Sequence, residues 1–127
     1  MDDVDDSEIY ARVGEEGFQR LVAAFYRQVP GDDILGPMYP PHDLAGAEQR
    51  LRDFLVGRFG GPARYIEQRG HPRLRMRHAP FAIGPPERDR WLVHMRAAID
   101  RVATGPGVRA ELERYFGTAA EAMRNRD

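Results

Sequence analysis

The chain of 127 residues contains no cysteine, which excludes disulfides, thiolate metal sites and cysteine nucleophiles. It has no apolar run near the roughly 20 residues of a membrane helix, and we expect no signal peptide before the domain. We therefore expect a cytoplasmic protein that does not bind membranes. Lysine is absent as well, and all 19 basic residues are arginine, which we interpret as composition bias of the genome.

A strong excess of either charge is also missing, because 19 basic and 20 acidic residues leave a net charge of −1. This balance argues against a general nucleic-acid binder, although it permits a local basic patch. The length and a hydrophobic content of 42% suit one globular domain with a single core. We expect an acidic, disordered tail over residues 1–7 and a folded domain over residues 8–127.

Neither period-two alternation, the pattern of a half-buried strand, nor an internal repeat is present. Apolar residues recur at helical spacing instead, which predicts an all-α fold with four substantial helices and two or three short ones. A short helix is expected from Glu8 to Val13, where Gly14 ends it, and a longer one continues to Val29. Three later helices are predicted by their apolar stripes: from the capping residue Asp43 to Phe59, from Pro85 to Val102, and from Val108 to about Met123.

Residues 60 to 84 form an irregular middle that is too long for an ordinary loop of a helical bundle. Tyr65 and Ile66 are its expected anchors. Within it, Pro72 suits the first position of a short helix, which closes near His78 because Pro80 disfavours helical backbone before it.

The predicted short helix, from Pro72 to His78, is about two turns long and must be held by something that packs on it. Leu74 and His78 are four residues apart and share one face, while Arg73 and Arg77 share another. An imidazole at the end of an apolar face, flanked by arginines, suits an apolar ligand that carries a metal and anionic groups.

Each histidine has a functional and a purely structural interpretation. His42 and His94 are expected on the solvated surface. His78 is favoured as a ligand over a merely packed imidazole, because it shares the Leu74 face, ends a helix whose dipole favours a positive centre, and has arginine neighbours without nearby carboxylates. His71 lies seven residues earlier, and no spacing typical of a zinc site appears.

Tyr26, Tyr39 and Trp91 come from three separate elements, and their spacing alone fits core residues. Each nevertheless carries a polar hydrogen that needs a partner when buried. If these donors converge in one pocket, they favour a ligand with developing negative charge, of which dioxygen is an example.

Several motifs resemble those of the group II truncated haemoglobins, the short two-over-two globins of bacteria and plants. The resemblance runs from about Glu8 to Met123 and implies a sandwich of two antiparallel helix pairs around haem b. The matching segments are FYRQV at Phe25 to Val29, MYP at Met38 to Pro40, DLAGAEQRLRDFL at Asp43 to Leu55, GGP at Gly60 to Pro62, the run YIEQRGHPRLRMRHAPF, and ERDRWL at Glu87 to Leu92.

The resemblance implies a role for each residue of the site. His78 would be the proximal iron ligand, and Ala47 would stand where full-length globins place a distal histidine, which leaves that approach open. The polar distal pocket would consist of Tyr26, Tyr39 and Trp91. Leu51, Phe54, Leu55 and Leu74 would contact the haem, and Arg50, Tyr65 and Arg77 would be candidates for its propionates. The chain departs from the family at Glu15, which follows Gly14 in place of a second glycine, and at Phe59, where a tryptophan is common.

The resemblance implies a haem protein that binds O2, CO or NO at a pentacoordinate iron. Its function would be storage or sensing of such gases, or redox chemistry such as nitric oxide dioxygenation or peroxide turnover, with an unidentified reductase as partner. Two alternatives lack haem: a nucleic-acid or polyphosphate binder, and a helical protein-interaction module. The binder would use five arginines, namely Arg64, Arg69, Arg73, Arg75 and Arg77, but apart from Tyr65 that run lacks interleaved stacking aromatics. The sequence does not decide the physiological gas, whether the chain is an enzyme, or whether it forms a homo-oligomer.

Overall fold

The computed structural model describes residues 6–39, 41–102 and 105–127, and this part of the chain is helical without any strand. The predicted all-α fold is confirmed. The helices are α1 (Asp6–Gln28), α2 (Leu44–Arg58), α3 (Arg64–Arg69), α4 (Leu74–His78), α5 (Pro85–Asp100) and α6 (Pro106–Ala122), with a 3-10 turn at Gly36–Met38. Residues 1–5 of the predicted tail lie outside the described residues, and α1 begins at Asp6. No helix of the described ranges is long and apolar enough to cross a membrane.

Gly14 divides α1 into the two segments that the sequence predicts. Its backbone (φ 78°, ψ 166°) lies in a region that only glycine adopts readily, and no atom near the position would obstruct a Cβ. The break lets the chain before Gly14 turn toward the end of α2, where the Tyr10 amide donates to the Phe59 carbonyl (3.2 Å).

Four helices form the core in two layers: α1 packs on α2 and on α5, and α5 packs on α6. The largest fully buried side chains come from all four, and they include Phe18, Phe25, Leu55, Met95 and Leu112. Each such apolar side chain contributes roughly 1.5–3 kcal/mol when removed from water. The short helices α3 and α4 lie outside this core.

The short helix α4 begins two residues later than predicted. Arg73 adopts a left-handed conformation (φ 47°, ψ 54°) ahead of Leu74, so Pro72 lies outside the helix. The Arg73 amide donates to His71 Nδ1 (3.1 Å), which stabilises this turn. The prediction for the neighbouring Ile66 was also wrong, because its side chain is 57% exposed and anchors nothing.

Asp43 occupies the predicted capping position of α2, but its side chain accepts no hydrogen bond from the amides of the first turn. Its carboxylate accepts hydrogen bonds from the Arg50 guanidinium instead (3.3 Å). The predicted position of the cap is therefore right, but the predicted capping hydrogen bond is wrong, because the carboxylate pairs with an arginine two turns further along α2.

Asp32 joins the segment after α1 to α5 through one buried carboxylate. It accepts hydrogen bonds from the amides of Ile34 (2.7 Å) and Leu35 (2.8 Å), and from the side chains of Arg90 (3.0 Å) and His94. Burial alone would raise the pKa of Asp32, but these bonds outweigh it and hold that pKa well below its usual range.

His94 is therefore not the surface residue that its position off the apolar stripe predicts. Its side chain is only 15% exposed, and it lies between the carboxylate of Asp32 and the amide oxygen of Gln28 (2.8 Å). His42, by contrast, is exposed as predicted.

Candidate ligand-binding site

A cavity of about 390 Å³ lies between α2, α4, α5 and α6, within the roughly 300–1,000 Å³ typical of ligand pockets. All twelve residues that the sequence singles out as site residues line it, although they come from six separate segments. They are Tyr26, Tyr39, Ala47, Arg50, Leu51, Phe54, Leu55, Tyr65, Leu74, Arg77, His78 and Trp91.

His78 lies on the α4 side of the cavity and is half-buried. Its Nδ1 is 2.7 Å from the Leu74 carbonyl oxygen, one helical turn earlier. Because a carbonyl can only accept, Nδ1 carries the proton, and Nε2 is left with an unshared electron pair. The same turn that places Leu74 and His78 on one face thus also orients the imidazole, as metal-binding histidines are commonly oriented.

Tyr26, Tyr39 and Trp91 converge in the cavity, as the sequence analysis anticipates for a polar pocket. The rings of Tyr26 and Tyr39 meet edge to face with centroids 5.6 Å apart, and the Trp91 indole hydrogen-bonds to the Tyr39 hydroxyl. Trp91 itself packs between Phe25 (5.3 Å between centroids) and Phe116 (5.6 Å).

Burial keeps both tyrosine hydroxyls neutral. It raises the pKa of Tyr39 to about 12, partly offset by the Trp91 hydrogen bond. It also raises the pKa of Tyr26, where Tyr39 adds to the effect and Arg50 opposes it. Both phenols therefore keep a proton to donate at any physiological pH, and the indole can only donate.

Four arginines line the cavity edge: Arg50, Arg69, Arg77 and Arg88. Arg50 pairs with Asp43 (3.3 Å), and Arg88 pairs with Asp89 (2.9 Å) and Glu121 (2.6 Å). Arg69 and Arg77 form no ion pair with any residue in the described ranges. Arg77 donates through Nε to the Pro72 carbonyl (2.7 Å), while the Arg69 guanidinium lies 6.0 Å from the centre of the Tyr65 ring. Arg77 and Arg69 thus leave guanidinium groups available to an anionic edge of a ligand.

Tyr65 is held at the cavity by contacts on both sides of α3. Its ring meets Phe54 edge to face, with centroids 5.7 Å apart. The first residue of α3, Arg64, forms two hydrogen bonds of 2.9 Å with the carboxylate of Glu15, just after the break in α1. Glu15, the departure from the family pattern noted in the sequence, therefore anchors α3.

Asn125 fixes the wall that follows α4. Its side-chain amide donates to the Phe81 carbonyl (2.8 Å) and its Oδ1 accepts from the Ile83 amide (2.8 Å), while its backbone amide donates to the Ile83 carbonyl (2.8 Å). Phe81 and Ile83 both line the cavity. The segment between His78 and α5 is therefore held by residues after α6.

About half of the residues that line the cavity were not predicted from the sequence. Arg69 could have been found, since it belongs to the same arginine run as Arg77. Residues of α6 were recognised only as an apolar stripe, because helical spacing does not distinguish a core face from a cavity wall. The missed lining residues are Leu35, Met38, Arg69, Phe81, Ile83, Glu87, Arg88, Tyr115, Phe116, Ala119, Ala120 and Met123.

An apolar cavity with one imidazole, hydroxyl and indole donors and unpaired guanidinium groups fits an apolar, metal-bearing ligand with an anionic edge. Within the described ranges, no group of three histidine or acidic side chains could hold a bare metal ion. Fold and site together define the class of helical haem proteins.

The model of the bacterial-like globin family matches residues 8–125, and the chain belongs to this family. It is similar to the group 2 truncated haemoglobin of Bacillus subtilis, with 38% identity over 84% of this chain and 77% of the relative. The solved haemoglobin of the phototroph Chloroflexus aurantiacus is 50% identical with a TM-score of 0.89, covering 93% of this chain and 98% of that one. The thermostable haemoglobin of Thermobifida fusca is 54% identical with a TM-score of 0.89, covering 92% and 96%.

The predicted resemblance to group II truncated haemoglobins is thereby confirmed, together with the globin fold and a haem cofactor containing iron. The chain is a haem protein that binds small ligands, and the two alternatives without haem are not favoured.

Proposed function

We propose that His78 ligates the haem iron through Nε2, and that O2, CO or NO binds on the side of the cavity lined by Tyr26, Tyr39 and Trp91. The haem supplies a five-coordinate iron able to bind diatomic ligands, and protein groups tune that chemistry. The observation that carries the proposal is that one cavity brings together an imidazole with a free Nε2 and three proton donors from separate elements.

The apolar walls and the cavity edge have separate tasks in this proposal. Leu51, Phe54, Leu55 and Leu74 exclude water from the faces of the haem. Arg77 and Tyr65, with Arg69 in addition, bind the propionates, because a guanidinium pairs with a carboxylate through two parallel hydrogen bonds. Arg50 also lines the cavity, but it is already paired with Asp43. Ala47 is small and leaves the approach past α2 open.

The donors act by holding protons where negative charge develops on a ligand. Trp91 and Tyr39 already share one hydrogen bond, in which the indole donates. The Tyr39 hydroxyl therefore has its own proton free to donate. The raised pKa of Tyr39 keeps that proton on the hydroxyl. Tyr26, buried beside Tyr39, provides a second neutral hydroxyl.

Oxygen binding requires ferrous haem, so a ferric product has to be reduced before the next cycle. We propose that a reductase serves as this partner and that nitric oxide dioxygenation or peroxide turnover is the accompanying redox chemistry. A cytoplasmic location and the homo-oligomeric state stay predictions.

The histidine pair provides the test. His78→Ala should abolish the five-coordinate ferrous absorption spectrum. It should also speed haem loss by more than about 100-fold, because even loss of a residue that only hydrogen-bonds to a metal ligand typically costs about 10–100-fold in metal affinity. His71→Ala is the matched control, because His71 is exposed and bonds only to the Arg73 amide in the described structure. An unchanged spectrum in His78→Ala would remove the proximal assignment.

A further inference from the structure

Exposed apolar side chains are frequent in the segment that runs from α3 to the cavity wall at Phe81. Four large hydrophobic residues are exposed in the described part of the chain, and three of them lie within sixteen positions: Ile66 (57%), Met76 (60%) and Phe81 (40%). Phe81 also lines the cavity. Exposed apolar groups beside a functional site are typical of contact with a partner, and methionine is common on surfaces that adapt to partners.

Arginines are interspersed with these three side chains in the same segment. Residues 64–81 contain five arginines and one glutamate, although the whole chain has a net charge of −1. Arg64 is neutralised by Glu15, but Arg69, Arg73, Arg75 and Arg77 form no ion pair with any residue that the structure describes. Because Arg69 and Arg77 are assigned to the propionates, we call Arg73, Arg75, Met76 and Phe81 the edge surface.

The geometry of α4 separates this surface from the ligand site while keeping the two close. Leu74 and His78 line the cavity, so Arg75 and Met76, on the same five-residue helix, point to solvent. Arg73, in its left-handed conformation just before the helix, is also exposed. A protein bound to the edge surface would therefore lie within one helical turn of the imidazole.

The chemistry of the patch favours a protein over a nucleic acid as occupant. Binding of single strands relies on aromatic side chains that stack on bases, but Tyr65 is only 8% exposed and already packs on Phe54. Phe81, 40% exposed, is the one aromatic ring of the edge surface, so successive bases would find no second ring there to stack on. Unpaired guanidinium groups around a small apolar centre are complementary to an acidic protein surface with an apolar patch.

We propose that the edge surface docks an acidic electron-transfer protein, namely a reduced iron–sulfur protein or flavoprotein, which reduces the haem at this edge. The inference rests on the proposed redox cycle and names the face at which that reductase binds. In the transfer, the partner's reduced centre loses one electron and ferric haem gains it, with no proton or atom exchanged. The arginines accelerate the encounter by attracting the partner, an effect of about 10–1,000-fold at low salt.

The experiment uses the haem-loaded protein and an acidic plant-type [2Fe–2S] ferredoxin as probe. Stopped-flow absorbance gives the rate of haem reduction by reduced ferredoxin across a range of salt concentrations, and calorimetry gives the affinity for oxidised ferredoxin. The test variant is Arg73→Glu/Arg75→Glu. The matched control is Arg27→Glu/Arg101→Glu, which changes the net charge equally at two exposed positions away from the cavity.

We expect the test variant to lower the second-order rate roughly tenfold or more at low salt, to flatten its salt dependence and to weaken binding of oxidised ferredoxin. The control should stay within about twofold of the unmodified protein. Arg75→Gln, a milder change at one exposed helical position, should lower the rate in the same direction and guards against misfolding of the double variant.

Equal rates and affinities in the test and control variants would overturn the proposal, and so would tighter binding of a 20-nucleotide single strand than of oxidised ferredoxin. Failure of the redox cycle itself is recognised separately. In that case the chemically reduced protein would bind O2 yet turn over neither nitric oxide nor peroxide, whatever the docking measurements give.

Discussion

Replacing Trp91 by phenylalanine removes one proton donor while keeping most of the packing. A phenyl ring can retain the contacts with Phe25 and Phe116, whose centroids lie 5.3 and 5.6 Å from that of Trp91. What is lost is the indole N–H, which hydrogen-bonds to the Tyr39 hydroxyl. In our proposal this N–H turns from that hydroxyl to bound oxygen. The variant therefore separates donation from shape.

The expected magnitude follows from the charge on the ligand. Oxygen in a haem protein carries partial negative charge away from the iron, and a hydrogen bond to a charged partner is worth roughly 1.5–3 kcal/mol. Since about 1.4 kcal/mol corresponds to a factor of ten, Trp91→Phe should speed oxygen dissociation by roughly ten- to a hundredfold. The Tyr26 and Tyr39 hydroxyls limit the loss if either takes over, because both stay protonated.

Stopped-flow replacement of oxygen by carbon monoxide measures this rate, and displacement of carbon monoxide by nitric oxide provides the comparison. Carbon monoxide is less polarised, so its dissociation should change much less. Tyr39→Phe is the companion variant: it keeps the ring beside Tyr26 and removes the hydroxyl that accepts from Trp91. If oxygen leaves Trp91→Phe no faster than the unmodified protein, or if both ligands speed up equally, Trp91 acts through packing and donation rests on the tyrosines.

Two further substitutions test the access route past α2 and the buried carboxylate of Asp32, which joins the segment after α1 to α5. Ala47→Trp should slow association of carbon monoxide from solvent after flash photolysis, because it fills the approach past α2; equal or faster rebinding would place the route elsewhere. Asp32→Asn should lower the free energy of unfolding at pH 7 by about 1.5–3 kcal/mol, the value of hydrogen bonds to charged groups, as measured by urea denaturation. The pKa of Asp32 is lower in the folded protein than in the unfolded chain, where it is about 3.9. The charge of Asp32 therefore contributes fully to the free energy of unfolding above that pH, and this contribution is lost as pH falls through the folded pKa. The difference between Asp32→Asn and the unmodified protein should therefore shrink in acid, and a constant difference from pH 7 to pH 2 would show that the charge of Asp32 contributes nothing.

The sequence predicts the helices well where apolar spacing or a glycine decides the backbone. Gly14, the four long helices and the end of α4 at His78 are such cases. The twelve site residues also meet at one cavity, but their roles toward haem come from resemblance to a family. The start of α4 was missed because the left-handed turn at Arg73 depends on its bond to His71, which propensity does not reveal.

Long-range polar contacts are the other part that the sequence could not supply. His94 appears solvated on its helix, yet its partner Asp32 lies 62 positions earlier in the chain. Likewise, Asp43 is a favourable capping residue, but it pairs with Arg50 once α2 is formed. Local preference describes each residue alone, whereas the packed helices determine which charged groups meet.

The bonds of Asn125 to Phe81 and Ile83 also impose an order of events on biosynthesis. Both polar backbone atoms of Ile83 find their partners on residues 125 and 126, about 42 positions later in the chain. At the usual synthesis rate of about 5–20 residues per second, that interval lasts roughly 2–8 s. During this time the wall beside His78 lacks its anchor, so a newly made chain completes its cofactor pocket only after its last helix has been translated.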